Sequence, residues 1–347
     1  MALQDSSCIP DALSLTRAWE GCAHVDWAEA AAEMFEHAQP AKSRVLINVG
    51  ANKGFNAAAF LSVWSAKHRP LVQPQAWARA IRDYADGQRR GGTLHKYLAY
   101  QLCGACHACK RPPTPRHTRR GGFVHMLELL PANVELLRWL VKESGIQGVA
   151  RVHNVAASNQ TRRELAPSDH FSKFAGSEYK SLAAPWLSKR AARKYNGTME
   201  VVALDDFVAR EGLGDIFSVE IDTEGWDALV LEGLRSTLRE HRVLFIEFEY
   251  SGRGYWGAPI RGYAAERRTL EGTTKWMAEL GYQCFMQAGS DLAPISGPCW
   301  KPAFENGRWK NVLCAQNSLA LGLLHNMSTR SFEVRHRREK GKSSASS

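Results

Sequence analysis

The chain has 347 residues, 44% of them hydrophobic, and a net charge of +10. This length and composition are sufficient for one large α/β core, and no apolar run is long enough to span a membrane. The sequence therefore excludes a helical membrane protein and is typical of a soluble enzyme. The first residues lack the basic and apolar regions of a secretory signal, so we expect a cytoplasmic location.

The first informative pattern follows an N-terminal segment, residues 1–43, that is expected to be helical. An apolar run at 45–49 ends in a Gly-x-x-x-Gly loop from Gly50 to Gly54, and the apolar segment 55–61 follows. This order predicts a buried strand, a tight turn and the start of a helix. Such a turn lets the backbone approach a ligand, and the helix start attracts an anionic group. A nucleotide-like cofactor is the functional interpretation; glycines that serve packing alone are the alternative.

Residues 65–120 separate this strand, loop and helix start from the next predicted strand. They contain 12 basic and two acidic residues, so this segment holds the whole net charge of the chain. Gly54 and Glu128 lie much farther apart than the usual separation of about 20 residues between a glycine loop and the next strand-end acid. We therefore expect a basic insertion that the core does not need. Its charge indicates an acidic partner or nucleic acid, or alternatively a solvated surface.

Three cysteines lie within this insertion. Cys103, Cys106 and Cys109 form two overlapping Cys-x-x-Cys pairs, which resemble half of a structural zinc site. The alternative is a set of reduced cysteines without a metal. Without a secretory signal, reduced thiols or a metal site are expected for the eight cysteines of the chain, rather than a disulfide framework.

Acidic residues mark the ends of later strands. A predicted strand at 123–128 ends in Glu128, another at 217–221 precedes Asp222, and a third at 243–249 contains Glu247. Ligands of open parallel sheets bind beyond the carboxyl ends of the strands. Further strands are predicted at 148–156, 201–204, 282–286 and 311–315, and helices at 131–141, after Gly225 and at 269–280. The basic, Ser-rich tail 330–347 is expected to be disordered.

Five motifs in this order resemble the FkbM-type methyltransferases, which are class I enzymes that use S-adenosylmethionine. They are Asn48-Val-Gly-Ala-Asn-x-Gly54, Leu127-Glu128, Asn154-Val-Ala-Ala-Ser158, Ala203-Leu-Asp-Asp-Phe207 and Ile221-Asp-x-Glu-Gly225. The resemblance covers roughly residues 44–64 and 121–315. It implies a Rossmann-like, mostly parallel α/β sheet with an antiparallel edge strand and helices on both faces, in a domain at 44–329 interrupted by the insertion. Two residues depart from the family pattern: Asn48 replaces the usual Asp, and Glu220 replaces the usual Lys.

The resemblance also implies a cofactor site. The residues expected to contact S-adenosylmethionine are Asn48, Gly50, Ala51, Asn52 and Gly54 at its methionine portion, Glu128 at the ribose, Asn154 and Ala156 near the adenine, and Asp222 beside the sulfonium. Candidate bases are Asp222, Glu224 and Glu247, with Glu249 ranked behind them. Helix capping and surface charge are the alternative roles of these four carboxylates.

The leading hypothesis is a methyltransferase that uses S-adenosylmethionine to methylate a hydroxyl of a small molecule, glycan or lipid. The alternative is a nucleic-acid-binding protein that uses the basic, Cys-rich insertion on a methyltransferase-like scaffold. A nicotinamide-dependent dehydrogenase is disfavoured because the loop lacks Gly-x-Gly-x-x-Gly spacing.

Overall fold

A computed structural model of the protein describes residues 8, 24–38, 44–88, 121–167, 195–251, 256, 269–288, 291–307 and 309–329. The helices are α1 (His24–Ala38), α2 (Phe55–Trp64), α3 (Arg69–Val72), α4 (Pro74–Gln88), α5 (Pro131–Glu143), α6 (Leu204–Arg210), α7 (Asp227–Glu232), α8 (Arg235–Arg239), α9 (Leu270–Glu279) and α10 (318–329). The strands are β1 (Arg44–Val49), β2 (Gly122–Glu128), β3 (Ala150–Asn154), β4 (Ala156–Ser158), β5 (Arg162–Pro167), β6 (Tyr195–Ala203), β7 (Ile216–Ile221), β8 (Val243–Tyr250), β9 (Gln283–Ala288), β10 (Asp291–Pro294) and β11 (Lys310–Ala315).

Eight strands form the main sheet, in the order β10-β9-β11-β8-β7-β1-β2-β3. The strands β8, β7, β1, β2 and β3 pair in parallel, and β11 pairs antiparallel with both β8 and β9. Strands β4, β6 and β5 form a small second sheet. The predicted Rossmann-like sheet with antiparallel pairing near one edge is confirmed.

Helices cover both faces of the main sheet. Side chains alternate along a strand, so Leu46 and Ile47 of β1 belong to two different buried clusters. The cluster around Leu46 includes Trp27 of α1 and Trp77 of α4, and the cluster around Ile47 includes Phe207 of α6. This arrangement leaves the carboxyl ends of the parallel strands together at one edge.

The first part of the expected insertion packs into the core. Helix α4 contributes Trp77, Ile81 and Tyr84, of which Trp77 and Ile81 are fully buried, and the Tyr84 ring lies 5.3 Å from that of Trp139. The indole Nε1 of Trp77 donates to the Lys53 carbonyl oxygen of the glycine loop at 2.8 Å. This helix therefore shares its buried side chains with the core, and the accessory role expected for residues 65–120 stays a prediction. Residues 89–120 lie outside the described part of the chain.

Two disulfides join the four cysteines that the structure describes. Cys8 pairs with Cys299, and Cys284 of β9 pairs with Cys314 of β11. The expectation of reduced thiols is therefore wrong for these four residues. The reason is the register: Cys284 and Cys314 are direct partners on antiparallel strands, which their distance in the sequence does not reveal. Among the described helices, none is both long and apolar enough to cross a bilayer.

We expect the double variant Cys284→Ala, Cys314→Ala to lose roughly 2–4 kcal/mol of stability, because this disulfide restricts the unfolded chain. Both side chains are fully buried, so alanine leaves no unpaired polar group behind. Denaturant unfolding without reductant measures the loss. Unreduced wild type is the control, and equal stability of the two proteins would show that the bond does not form in solution.

Candidate functional site

The predicted site residues, apart from Ala156 on β4 and Glu247 on β8, lie at the carboxyl ends of β7, β1, β2 and β3, which are neighbours in the sheet. The loop after β1 is anchored there, since the backbone N–H groups of Gly50 and Ala51 both donate to the Leu127 carbonyl oxygen, at 2.9 and 3.1 Å. On the other side, the Asp222 N–H donates to the Val49 carbonyl oxygen at 3.0 Å. Three strand ends are thereby fixed around one loop.

Gly50 is required by the closeness of this loop to the end of β7. Its φ is +78°, and a Cβ atom there would lie 1.9 Å from the carbonyl oxygen of Asp222. Gly54 also has a positive φ, +76°, and packs against Leu137 and Trp77. The loop therefore presents bare backbone beside Asp222, whose own side chain is exposed.

Glu128 is buried at the end of β2 and holds the loop in place. Its Oε2 accepts from the Asn52 N–H at 2.8 Å, and its Oε1 accepts from the Leu130 N–H at 2.7 Å. Burial raises the pKa of this carboxyl, and the two backbone donors oppose that rise. A carboxylate has further lone pairs to offer, so contact with a ribose stays a prediction.

Asn154 and Ala156 border the site at β3 and β4. The Asn154 amide donates to the carbonyl oxygens of Glu128 and Leu129, at 3.1 and 3.0 Å, and so holds the turn after β2. Ala156 is buried and pairs with Val201 in the second sheet. Their expected position near an adenine stays a prediction.

The two departures from the family pattern are neighbours in space. Asn48 of β1 and Glu220 of β7 are register partners, and Glu247 of β8 is the next partner in the same row. All three side chains are buried. This row therefore carries its carboxyl groups on β7 and β8 and an amide on β1.

Glu247 lies beneath helix α1. Its Oε2 accepts from the indole Nε1 of Trp27 at 3.1 Å, and its Oε1 accepts from the Asn311 amide at 3.3 Å. Both oxygens are occupied and the side chain is 4% exposed. Its catalytic role stays a prediction that these contacts do not favour.

Asp227 is the residue that the sequence did not single out. It is fully buried at the start of α7 and accepts three hydrogen bonds, from Thr223 Oγ1 (3.1 Å), Gly225 N (3.2 Å) and Glu249 N (3.3 Å). Burial and the charge of Asp222 raise its pKa to about 8. Asp227 shapes the Asp-x-Glu-Gly turn and ties it to β8. Within that turn Glu224 is exposed and has a φ of +55°.

A second polar group lies away from this site, at the edge of the sheet. His125 Nδ1 and His153 Nε2 are 3.1 Å apart, and Glu211 is near enough for the three to hold a metal. However, Arg151 lies 3.2 Å from the Glu211 carboxylate and pairs with it. Burial and the neighbouring His153 lower the pKa of His125 to about 4. The arrangement is that of a neutral, hydrogen-bonded histidine pair.

The proposed zinc ligands Cys103, Cys106 and Cys109 lie outside the described residues, as does the Arg/Pro-rich run that follows them. The predicted zinc ligands and residues 89–120 of the insertion, which the nucleic-acid alternative would use, are thus not described, and both calls stay predictions.

The family follows from the comparison with family models. A model described as the methyltransferase FkbM domain matches residues 103–284, which is more than half of the chain. The chain belongs to the FkbM methyltransferase family. No curated protein matches this family member.

Solved structures match this FkbM chain at low identity. The methyltransferase FkbM from Methylobacillus flagellatus KT is 13% identical with a TM-score of 0.39; the match covers 88% of our chain and 58% of the other. The O-methyltransferase TomG from Streptomyces achromogenes, involved in tomaymycin synthesis and solved with its SAM cofactor, is 11% identical with a TM-score of 0.33. That match covers 92% of our chain and 100% of the other. Our chain thus spans little more than half the length of the M. flagellatus protein.

Proposed function

We propose that this family member transfers the methyl group of S-adenosylmethionine to a hydroxyl of a small molecule, glycan or lipid. The observation that carries the proposal is the convergence of the glycine loop, Glu128 and Asp222 at three adjacent strand ends. This geometry places a buried carboxylate and an exposed carboxylate on either side of a loop whose backbone a ligand can approach closely. Family membership supports methyl transfer, and the hydroxyl acceptor is the part of the proposal that the acceptor assays below test.

The site suits this cofactor in its hydrogen-bonding chemistry. The amide oxygen of Asn52 is buried and, within the described chain, accepts no hydrogen bond. A ligand with ammonium and hydroxyl donors satisfies such an acceptor, whose burial without a partner costs about 1–3 kcal/mol. Gly50, Ala51, Asn52 and Gly54 would hold the methionine portion, Glu128 the ribose, and Asn154 and Ala156 the adenine.

When bound, the cofactor supplies an electrophilic methyl group on a sulfonium. Asp222 favours that positive charge, and the rigid loop fixes the direction from which the acceptor approaches. Zinc at Cys103, Cys106 and Cys109, and an acidic partner for the basic segment, stay separate predictions.

The proposal is tested by calorimetry with S-adenosylmethionine and by methyl transfer from labelled cofactor to hexyl glucoside, a fatty alcohol and para-nitrophenol. We expect micromolar binding, about −8 kcal/mol. Asp222→Asn keeps the shape but removes the charge, so turnover should fall at least about tenfold, or 1.4 kcal/mol, at unchanged thermal stability.

Asp83→Asn, on the exposed surface of α4, is the matched control and should behave as wild type. Folded wild type that binds no cofactor would overturn the proposal. Full turnover by Asp222→Asn would remove Asp222 from the reaction but leave the proposal standing.

A further inference from the structure

A methyl acceptor that is a hydroxyl must lose its proton, and most carboxylates of this region are already occupied. Glu247 uses both oxygens to hold Trp27 and Asn311. Asp227 is fully buried and holds three donors of its turn. Glu128 is 5% exposed and binds two backbone N–H groups. These three carboxylates shape the site.

Glu249 differs from them in position. It lies at the carboxyl end of β8, next to the Asp-x-Glu-Gly turn, because its backbone N–H donates to Asp227 Oδ1 at 3.3 Å. Its side chain is half-buried and receives a hydrogen bond from the Trp309 side chain. The carboxylate is therefore oriented by an indole, on a residue whose backbone is tied to the Asp-x-Glu-Gly turn.

The surroundings of Glu249 are predominantly acidic. Burial, followed by the charges of Asp222, Asp227 and Glu224, raises the pKa of Glu249 to about 9, against the opposing hydrogen bond from Trp309. Its partner on β11 is Asn311, and Gln287 of β9 lies beyond it, so both of these neighbours are uncharged amides.

The basic residue nearest to Asn311 along β11 is Lys310, and its side chain contacts groups other than Glu249. Lys310, the partner of Tyr250, binds Asn306 and lies over the Tyr250 ring, 5.6 Å from its centre. Because the pKa of Glu249 is raised, its ionised carboxylate is a stronger base than that of an ordinary surface glutamate.

We propose that Glu249 is the general base that removes the proton of the acceptor hydroxyl, an inference that rests on the proposed function. As the acceptor oxygen bonds to the methyl carbon, the bond from that carbon to sulfur breaks and its electron pair stays on sulfur. The hydroxyl proton passes to the Glu249 carboxylate, which later releases it to water.

The test compares two acceptors under single-turnover conditions with Glu249→Gln. Hexyl glucoside has hydroxyls that need a base, whereas para-nitrophenol loses its proton in mildly basic buffer without help. We expect the variant to lose about 100-fold or more of the rate with hexyl glucoside and little with para-nitrophenol. A merely structural role would slow both acceptors equally. Glu279→Gln, on the exposed face of α9, is the matched control.

A second measurement uses the wild type alone. Its single-turnover rate with hexyl glucoside should rise from neutral pH towards pH 9, where Glu249 becomes ionised, and the rate with ionised para-nitrophenol should not follow the same curve. Equal losses with both acceptors, or a flat pH profile with hexyl glucoside, would overturn the inference without touching the proposed function. Wild type that binds the cofactor but methylates neither compound would overturn both.

Discussion

We expect the Gly50→Ala variant to lose S-adenosylmethionine binding by at least about 100-fold, or 2.7 kcal/mol. The added methyl would lie 1.9 Å from the Asp222 carbonyl oxygen, and the residue would have to keep a φ of +78°. Backbone on both sides of the contact must then move, which separates the glycine loop from the end of β7. Calorimetry with the cofactor measures the loss, and thermal unfolding shows how much of it comes from general destabilisation.

The matched control is Gly87→Ala in α4. An added Cβ there meets no atom within 4 Å, and the residue is exposed. Alanine in a helix is favoured over glycine by about 0.5–1 kcal/mol, so this variant should bind as wild type does and be no less stable. Wild-type affinity in Gly50→Ala would mean that the cofactor does not bind at this loop.

Trp77→Ala should cost about 3–5 kcal/mol of stability, because it empties a fully buried position between α4 and the core. The same change removes the donor to the Lys53 carbonyl oxygen, so the glycine loop should also loosen. Denaturant unfolding measures the first effect, and cofactor affinity measures the second.

Trp77→Phe retains part of the packing. It keeps a benzene ring but removes the indole N–H and the five-membered ring that carries it, so it should lose about 1 kcal/mol through the hydrogen bond and less through packing than Trp77→Ala. Leu71→Ala, at a position 49% exposed in the same segment, is the control and should change little. If Trp77→Ala were as stable as that control, residues 65–88 would be the accessory insertion that the sequence led us to expect.

Much of the sheet was predictable because apolar runs and the glycine or acidic residues that border them mark the same strands. The run at 45–49 is apolar and ends at glycine, and the runs at 217–221 and 243–249 are apolar and bordered by acids. Each such run matched a strand, since the pattern and the burial of a central parallel strand are the same property. Glu128 and Asp222 lie at the ends of β2 and β7, the two strands that flank β1, and the predicted strands already placed both residues at carboxyl ends.

The features that the sequence does not reveal depend on contacts between distant residues. Charge marked residues 65–120 as separate, but the buried face of α4 is decided by what Trp77 touches. The disulfide between Cys284 and Cys314 depends on strand register. Asp227 resembles an ordinary acid in a first helical turn, and only the folded turn shows its three donors.

The bond between Cys8 and Cys299 has a consequence for the covalent topology of the chain. It closes a ring with a sequence separation of 291 residues, so Cys8 is tethered to the 3-10 turn Gly297–Cys299. A single proteolytic cut within that ring opens it without releasing a fragment. A nicked molecule would therefore keep its full mass and migrate as one species until a reductant separates the pieces.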